Sequence, residues 1–128
     1  MLRSLLISAL ALALASSLGG CQDPGGPCGN EVLSESMSPS GYVTATTFRR
    51  NCGATTGFVK VVAVQASADA FDGDDKSNYV LVSDTDTPVT ATWEGADVLR
   101  IRRSAGKSVF LEIRVFDGMQ IRYNDEPL

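Results

Sequence analysis

Hydrophobic and polar positions divide the chain into two regimes. Residues 5–18 are a nearly unbroken run of Leu, Ala, Ile and Ser, whereas from Cys28 onward apolar positions recur with period two. No amphipathic helical stretch of useful length interrupts the second regime. Alternation predicts strands over residues 30–36, 42–50, 58–66, 79–83, 89–93, 97–103, 109–116 and 119–123. In the third, Phe58, Val62 and Val64 share one face and Val59, Val61 and Ala63 the other, which predicts a central strand covered on both sides. In the seventh, Val109, Leu111, Ile113 and Val115 point one way, opposite Glu112 and Arg114.

The turn chemistry agrees with this division. Asp117-Gly118 between alternating strands is the strongest hairpin signal, and Ser38-Pro39-Ser40-Gly41 combines a fixed φ with a residue free to take positive φ. Residues 51–57 and 67–77 read as loops, and the four strands from residue 89 onward as a meander. The expected fold is all-β: a small antiparallel sandwich or a curved, barrel-like sheet of about eight short strands carrying one disulfide.

The opening run is too short for a membrane span, which needs about 20 apolar residues, and suits the apolar region of a signal peptide preceded by Arg3. Leu18-Gly19-Gly20-Cys21 resembles the lipobox of bacterial lipoprotein signals, with Gly at a position more often Ala or Ser. Residues 1–20 are thus expected to be removed and Cys21 to carry the lipid anchor, several acyl chains giving stable attachment where one does not. Cysteine parity supports this assignment. In an exported chain with three cysteines, lipidation of Cys21 leaves Cys28 and Cys52 as a natural pair. Closing a loop of about 25 residues would contribute roughly 3–4 kcal/mol in the chain-entropy model.

Residues 21–27 form a tether without apolar side chains, six of them reaching about 20 Å at most. A single β-domain over 28–123 and a frayed tail over 124–128 complete the organisation. Asp23 is the third residue after cleavage and Gln22 the second. Lacking aspartate at the second position, the chain resembles outer-membrane lipoproteins facing the periplasm, if the cell is Gram-negative. The remaining 108 residues carry ten basic and fifteen acidic side chains, so neither nucleic acid nor an anionic membrane surface is an expected ligand.

Residues 28–32, 38–41 and 48–58 together resemble a family of small uncharacterised bacterial envelope proteins with a Cys-Gly-Ala-Thr-Thr loop, here Cys52 to Thr56. Ser40 departs from that pattern, where aspartate is commoner. The resemblance implies a β-rich envelope protein and supplies no activity.

The chain has no histidine, which removes the commonest general base and metal ligand and all Ser-His and Cys-His pairs. Gly53, Thr55, Thr56 and Gly57 offer a possible interaction loop, set against threonines that merely hold a loop in shape. Asp69, Asp72, Asp74 and Asp75 form a weak calcium candidate whose spacing misses the EF-hand template, so a solvated acidic loop is the default. Arg49, Arg50, Arg100, Arg102 and Arg103 read as the wet face of strands paired with Glu112 and neighbouring acids, and Trp93 as core. No cofactor is implied. The expected function is a non-catalytic binding or structural module contacting another envelope protein or a wall component. An inhibitor of an exported hydrolase using the 51–57 loop is the alternative, and a small carboxylate-dependent hydrolase the third choice.

Overall fold

The computed structural model describes residues 28–53, 57–84, 88–104 and 108–127. These fold into two facing sheets that do not close into a barrel, so of the two expected architectures the sandwich is the one formed. The nine strands are β1 (Gly29–Met37), β2 (Val43–Asn51), β3 (Val59–Ala66), β4 (Tyr79–Asp84), β5 (Val89–Trp93), β6 (Val98–Ser104), β7 (Val109–Glu112), β8 (Val115–Phe116) and β9 (Met119–Glu126). The first sheet has the order β1-β2-β3-β4-β7 and is antiparallel throughout; the second has the order β5-β6-β9-β8. A single 3-10 turn, Lys76–Asn78, is the one helical element among the described residues.

Alternation explains why the first sheet has two apolar faces. On β3, Val62 and Val64 face the second sheet and join Ala45, Leu81, Leu99, Ile101 and Ile121 in the inter-sheet core. Val61 and Ala63 face the other way, where they pack with Phe48 and Tyr79 in a smaller outer cluster. Central placement of β3, with both faces covered at Val61 through Val64, follows the prediction. Phe48 is the centre of the outer cluster. Its ring lies edge-on to Phe71 and Tyr79, with centroids 5.1 and 5.8 Å away.

The expected disulfide joins Cys28 to Cys52, stapling the entry of β1 to the exit of β2. Asp117 and Gly118 both take positive φ, 47° and 78°, as a two-residue hairpin turn requires, and connect β8 to β9. Gly41 likewise adopts φ 79° in the turn before β2.

Three expectations are corrected. The strand expected over 109–116 is broken in two: β7 completes the first sheet and β8 belongs to the second, so the chain changes sheets between residues 112 and 115. The four strands from residue 89 are therefore no meander, and β9 pairs with β6 in parallel, Leu99 opposite Ile121 and Ile101 opposite Tyr123. Residues 124–126, read as the start of a frayed tail, are the last rungs of β9 against Arg102, Arg103 and Ser104. Trp93, read as core, packs against the inter-sheet core from the end of β5. It is half-buried, and its Nε1 donates to the Ser36 carbonyl of edge strand β1 at 2.8 Å, closing part of that edge.

Two β-bulges place side chains that simple alternation misplaces. Opposite β3, Leu81 pairs with Val62 but Tyr79 pairs with Ala63, so Val80 is the extra residue. Val80 and Leu81 consequently both enter the inter-sheet core while Tyr79 turns to the outer face. The bulged Val80 carbonyl is not orphaned: Ile113 N–H and the Tyr123 hydroxyl both donate to it. Opposite β4, Leu111 pairs with Val82 and Val109 with Ser83, leaving Phe110 as the extra residue of β7, 62% exposed.

Candidate functional site

The outer face of the first sheet is only partly roofed, and the boundary between its covered and open halves is set by Arg50. Sequence alternation reads Arg50 as a wet-face cation. Instead it is buried, its side chain 8% exposed, on the same face as Phe48. Its Nη1 donates to Asn30 Oδ1 at 2.8 Å, to the Gly73 carbonyl at 2.8 Å and to Asp74 Oδ1 at 2.6 Å. The Tyr79 hydroxyl donates to the same Gly73 carbonyl. Gly73 is a position where close approach demands glycine, since an added Cβ would lie 2.6 Å from the Asn30 side chain. The clamp thus folds the 67–75 segment down over Phe48, with Phe71 as its apolar plug.

This explains the fate of the acidic cluster. Asp74 accepts from Arg50 and from Asn30 Nδ2, and these hydrogen bonds, the Arg50 one foremost, hold its carboxyl below the usual 3.8. Asp72 Oδ1 accepts from the Asp74 backbone N–H, and Asp75 caps the 3-10 turn by accepting from Ser77 N and Asn78 Nδ2. Asp69 takes no part in these bonds, and its backbone carbonyl accepts from Gln65. Asp72 and Asp75 serve their own segment, and Asp74 ties that segment to β1 and β2. Among the described residues no three acidic or Cys groups converge to hold a metal, so Asp69, Asp72, Asp74 and Asp75 do not make the calcium site the sequence raised.

Beyond the clamp, the same face is open. A groove of about 400 Å³ runs over β3, β4 and β7. Its floor is apolar, made by Val59 and Val61 of β3, Val82 of β4 and Leu111 of β7. Tyr79 and the bulged Phe110 supply aromatic walls, and Cys52 and Gly57 lie at the rim. Among the described residues two charged side chains line it, Arg50 and Lys76, and both are cations. Arg50 is committed to the clamp, whereas the Lys76 side chain makes no ion pair or hydrogen bond.

The other four arginines of that set are paired with acids as expected, although the Arg103 side chain is only 10% exposed and so is not on a wet face. Arg49 meets Glu31, Arg100 meets Glu94, Arg102 meets Glu126, and Arg103 meets both Glu112 and Asp125 at 2.8 Å. Arg103 also lies over the Tyr123 ring, 4.6 Å from its centroid. Burial, followed by the nearby Glu112 charge, pushes the Tyr123 phenol up to about 12.

Of the residues singled out by sequence, Cys28 and Cys52 are brought together, and Gly53 and Gly57 are both exposed, Gly57 at the groove rim. Thr55 and Thr56 lie outside the described residues, as does Cys21 with the whole of 1–27. Sequence reasoning missed the groove because Phe110 is placed there by a bulge, although its neighbours Val109 and Leu111 marked the strand. No protein-family model, curated protein or solved structure matches the chain.

Proposed function

We propose that the protein is a bacterial lipoprotein, cut before Cys21 and lipidated there, whose β-sandwich serves as a non-catalytic binding module of the cell envelope. The observation that carries the binding role is the open apolar groove on the outer face of the first sheet. A sandwich buries its inner faces to fold; the outer faces are normally polar. Here Val59, Val61, Val82, Leu111 and Phe110 form a concave apolar surface that the inter-sheet core does not use. Pockets of this volume and lining are typical of ligand sites.

The address rests on Leu18-Gly19-Gly20-Cys21, and the role as a module on the absence of histidine from the chain. Metabolic labelling with radioactive palmitate tests the address: the native chain incorporates label and Cys21→Ala does not. Label retained by Cys21→Ala would sink the lipoprotein reading. Photo-crosslinking from position 110 in intact cells tests the binding role, with adducts expected there and not from Val115, which is 68% exposed on the second sheet.

A second reading draws on the exposed, disulfide-stapled flank formed by Cys52, Gly53 and Gly57, which suits insertion of an inhibitory loop into a hydrolase cleft. Purified protein that leaves lysozymes and exported proteases at full activity removes it.

A further inference from the structure

We propose that the groove takes the hydrocarbon tail of a single-chain anionic amphiphile, a long-chain carboxylate, and that Lys76 pairs with its head. The proposal rests on the binding-module reading and names the ligand class for that same site.

The first argument concerns what the floor offers. Most of it is built from β3 and β4, each hydrogen-bonded to a neighbour on both sides, so their backbone N–H and C=O groups are spent; edge strand β7 adds Leu111. The Tyr79 hydroxyl is spent on the Gly73 carbonyl. A peptide lying here would lose water from its amides without finding partners, at about 1–3 kcal/mol for each. A hydrocarbon chain strands nothing. Val59, Val82 and Leu111 give it apolar contact along the floor, and Phe110 gives it a wall.

The second argument is electrostatic. The protein as a whole is acidic, which disfavours long-range attraction to anionic surfaces. Among the described residues the groove's own lining reverses that balance, with two cations and no acid. Asp72 and Asp75 keep their charge nearby, but neither is among the side chains that line the groove. Arg50 is neutralised by Asp74, whereas Lys76 has no partner. An unpaired ammonium beside an apolar groove is complementary to a carboxylate head on an apolar tail.

The test uses the full chain carrying Cys21→Ala, purified with its disulfide intact and without detergent. Calorimetric titration with decanoate and with decanol, both kept below aggregation, reads the affinity. Saturable one-to-one binding of decanoate is expected, weakened at least about tenfold by Phe110→Asp, which puts a charge against the tail. Lys76→Gln should weaken decanoate about threefold, as an exposed ion pair would, and leave decanol unchanged. Because Phe110 is 62% exposed, the variant's fold is checked by its urea midpoint. Unsaturable binding, indifference to Phe110→Asp, or equal loss of both ligands on Lys76→Gln would overturn the proposal. So would a dimer abolished by Phe110→Asp in sedimentation, since a second copy would then be the occupant. Palmitate labelling stands apart from all these outcomes, so failure of the anchor and failure of the ligand assignment remain distinguishable.

Discussion

Replacing Arg50 by methionine tests the clamp that divides the outer face. Methionine keeps an unbranched apolar stem over Phe48 and deletes the guanidinium. Three hydrogen bonds disappear, to Asn30, Gly73 and Asp74. Bonds to charged groups are worth about 1.5–3 kcal/mol each, but they do not simply add here. The Asp74 side chain is half-exposed, so water replaces its lost donor. The buried Gly73 carbonyl keeps the Tyr79 hydroxyl. A net loss of about 2–3 kcal/mol follows, below the 3–5 kcal/mol of breaking a fully buried pair.

Urea unfolding followed by circular dichroism should therefore show a lowered midpoint with little change in slope. The neighbouring residue supplies the control. Arg49 is ion-paired to Glu31, but their side chains are 47% and 59% exposed, so Arg49→Met should cost about 0–1 kcal/mol. Proteolytic nicking within 67–75 should also accelerate in Arg50→Met and stay unchanged in Arg49→Met. If Arg50→Met costs under about 1 kcal/mol, or no more than Arg49→Met, the clamp does not hold the roof and the reasoning fails.

Three further outcomes are expected. Asp74 and Glu94 are both held below their ordinary values of 3.8 and 4.5, chiefly by hydrogen bonds from Arg50 and Arg100 respectively. Their stabilisation is present above those values and lost as pH falls through the native ones, so the urea midpoint should drop below about pH 4.5; a flat profile down to pH 3 would contradict this. The Tyr123 phenol, raised to about 12, favours the native state below pH 10 and loses that contribution between 10 and 12. Carbon NMR of the Tyr123 ring should place its titration near 12, and a value near 10 would show that the phenol is not buried against Val80 and Ile113. Reducing Cys28–Cys52 should cost about 3 kcal/mol by thermal or urea unfolding, and a loss under about 1 kcal/mol would mean that its loop is already constrained when unfolded.

Much of the fold is local and was legible for that reason. Period-two alternation depends on neighbours in sequence, so strand identity, the two-faced character of β3 and the Asp117-Gly118 hairpin could be read directly. The disulfide followed from the cysteine count together with the expectation of an exported chain. Where the prediction failed, a distant partner had decided the outcome. Residues 109–116 read as one strand, with Val109, Leu111, Ile113 and Val115 on one side, yet Leu111 finds Val82 in the first sheet while Phe116 finds Met119 in the second. Nothing within those eight residues encodes the change of sheet. The parallel pairing of β6 with β9 is equally invisible, because both strands would show the same pattern in either direction.

The candidate site divides in the same way. Its apolar floor was implicit in Val59, Val61, Val82 and Leu111, each recognisable as a strand residue. Arg50 is another matter, since a cation at an alternating position reads as solvent-facing until Gly73, Asp74 and Asn30 are seen around it. Phe110 reaches the groove wall because a bulge adds one residue between Val82 and Ser83 pairings, a feature of two strands and of neither alone. The amino-acid sequence by itself determined which segments extend, where they turn and which side chains want burial. Tertiary structure decided which strand lies beside which, and therefore that one cation is buried, one is left unpaired, and an apolar groove stays open between them.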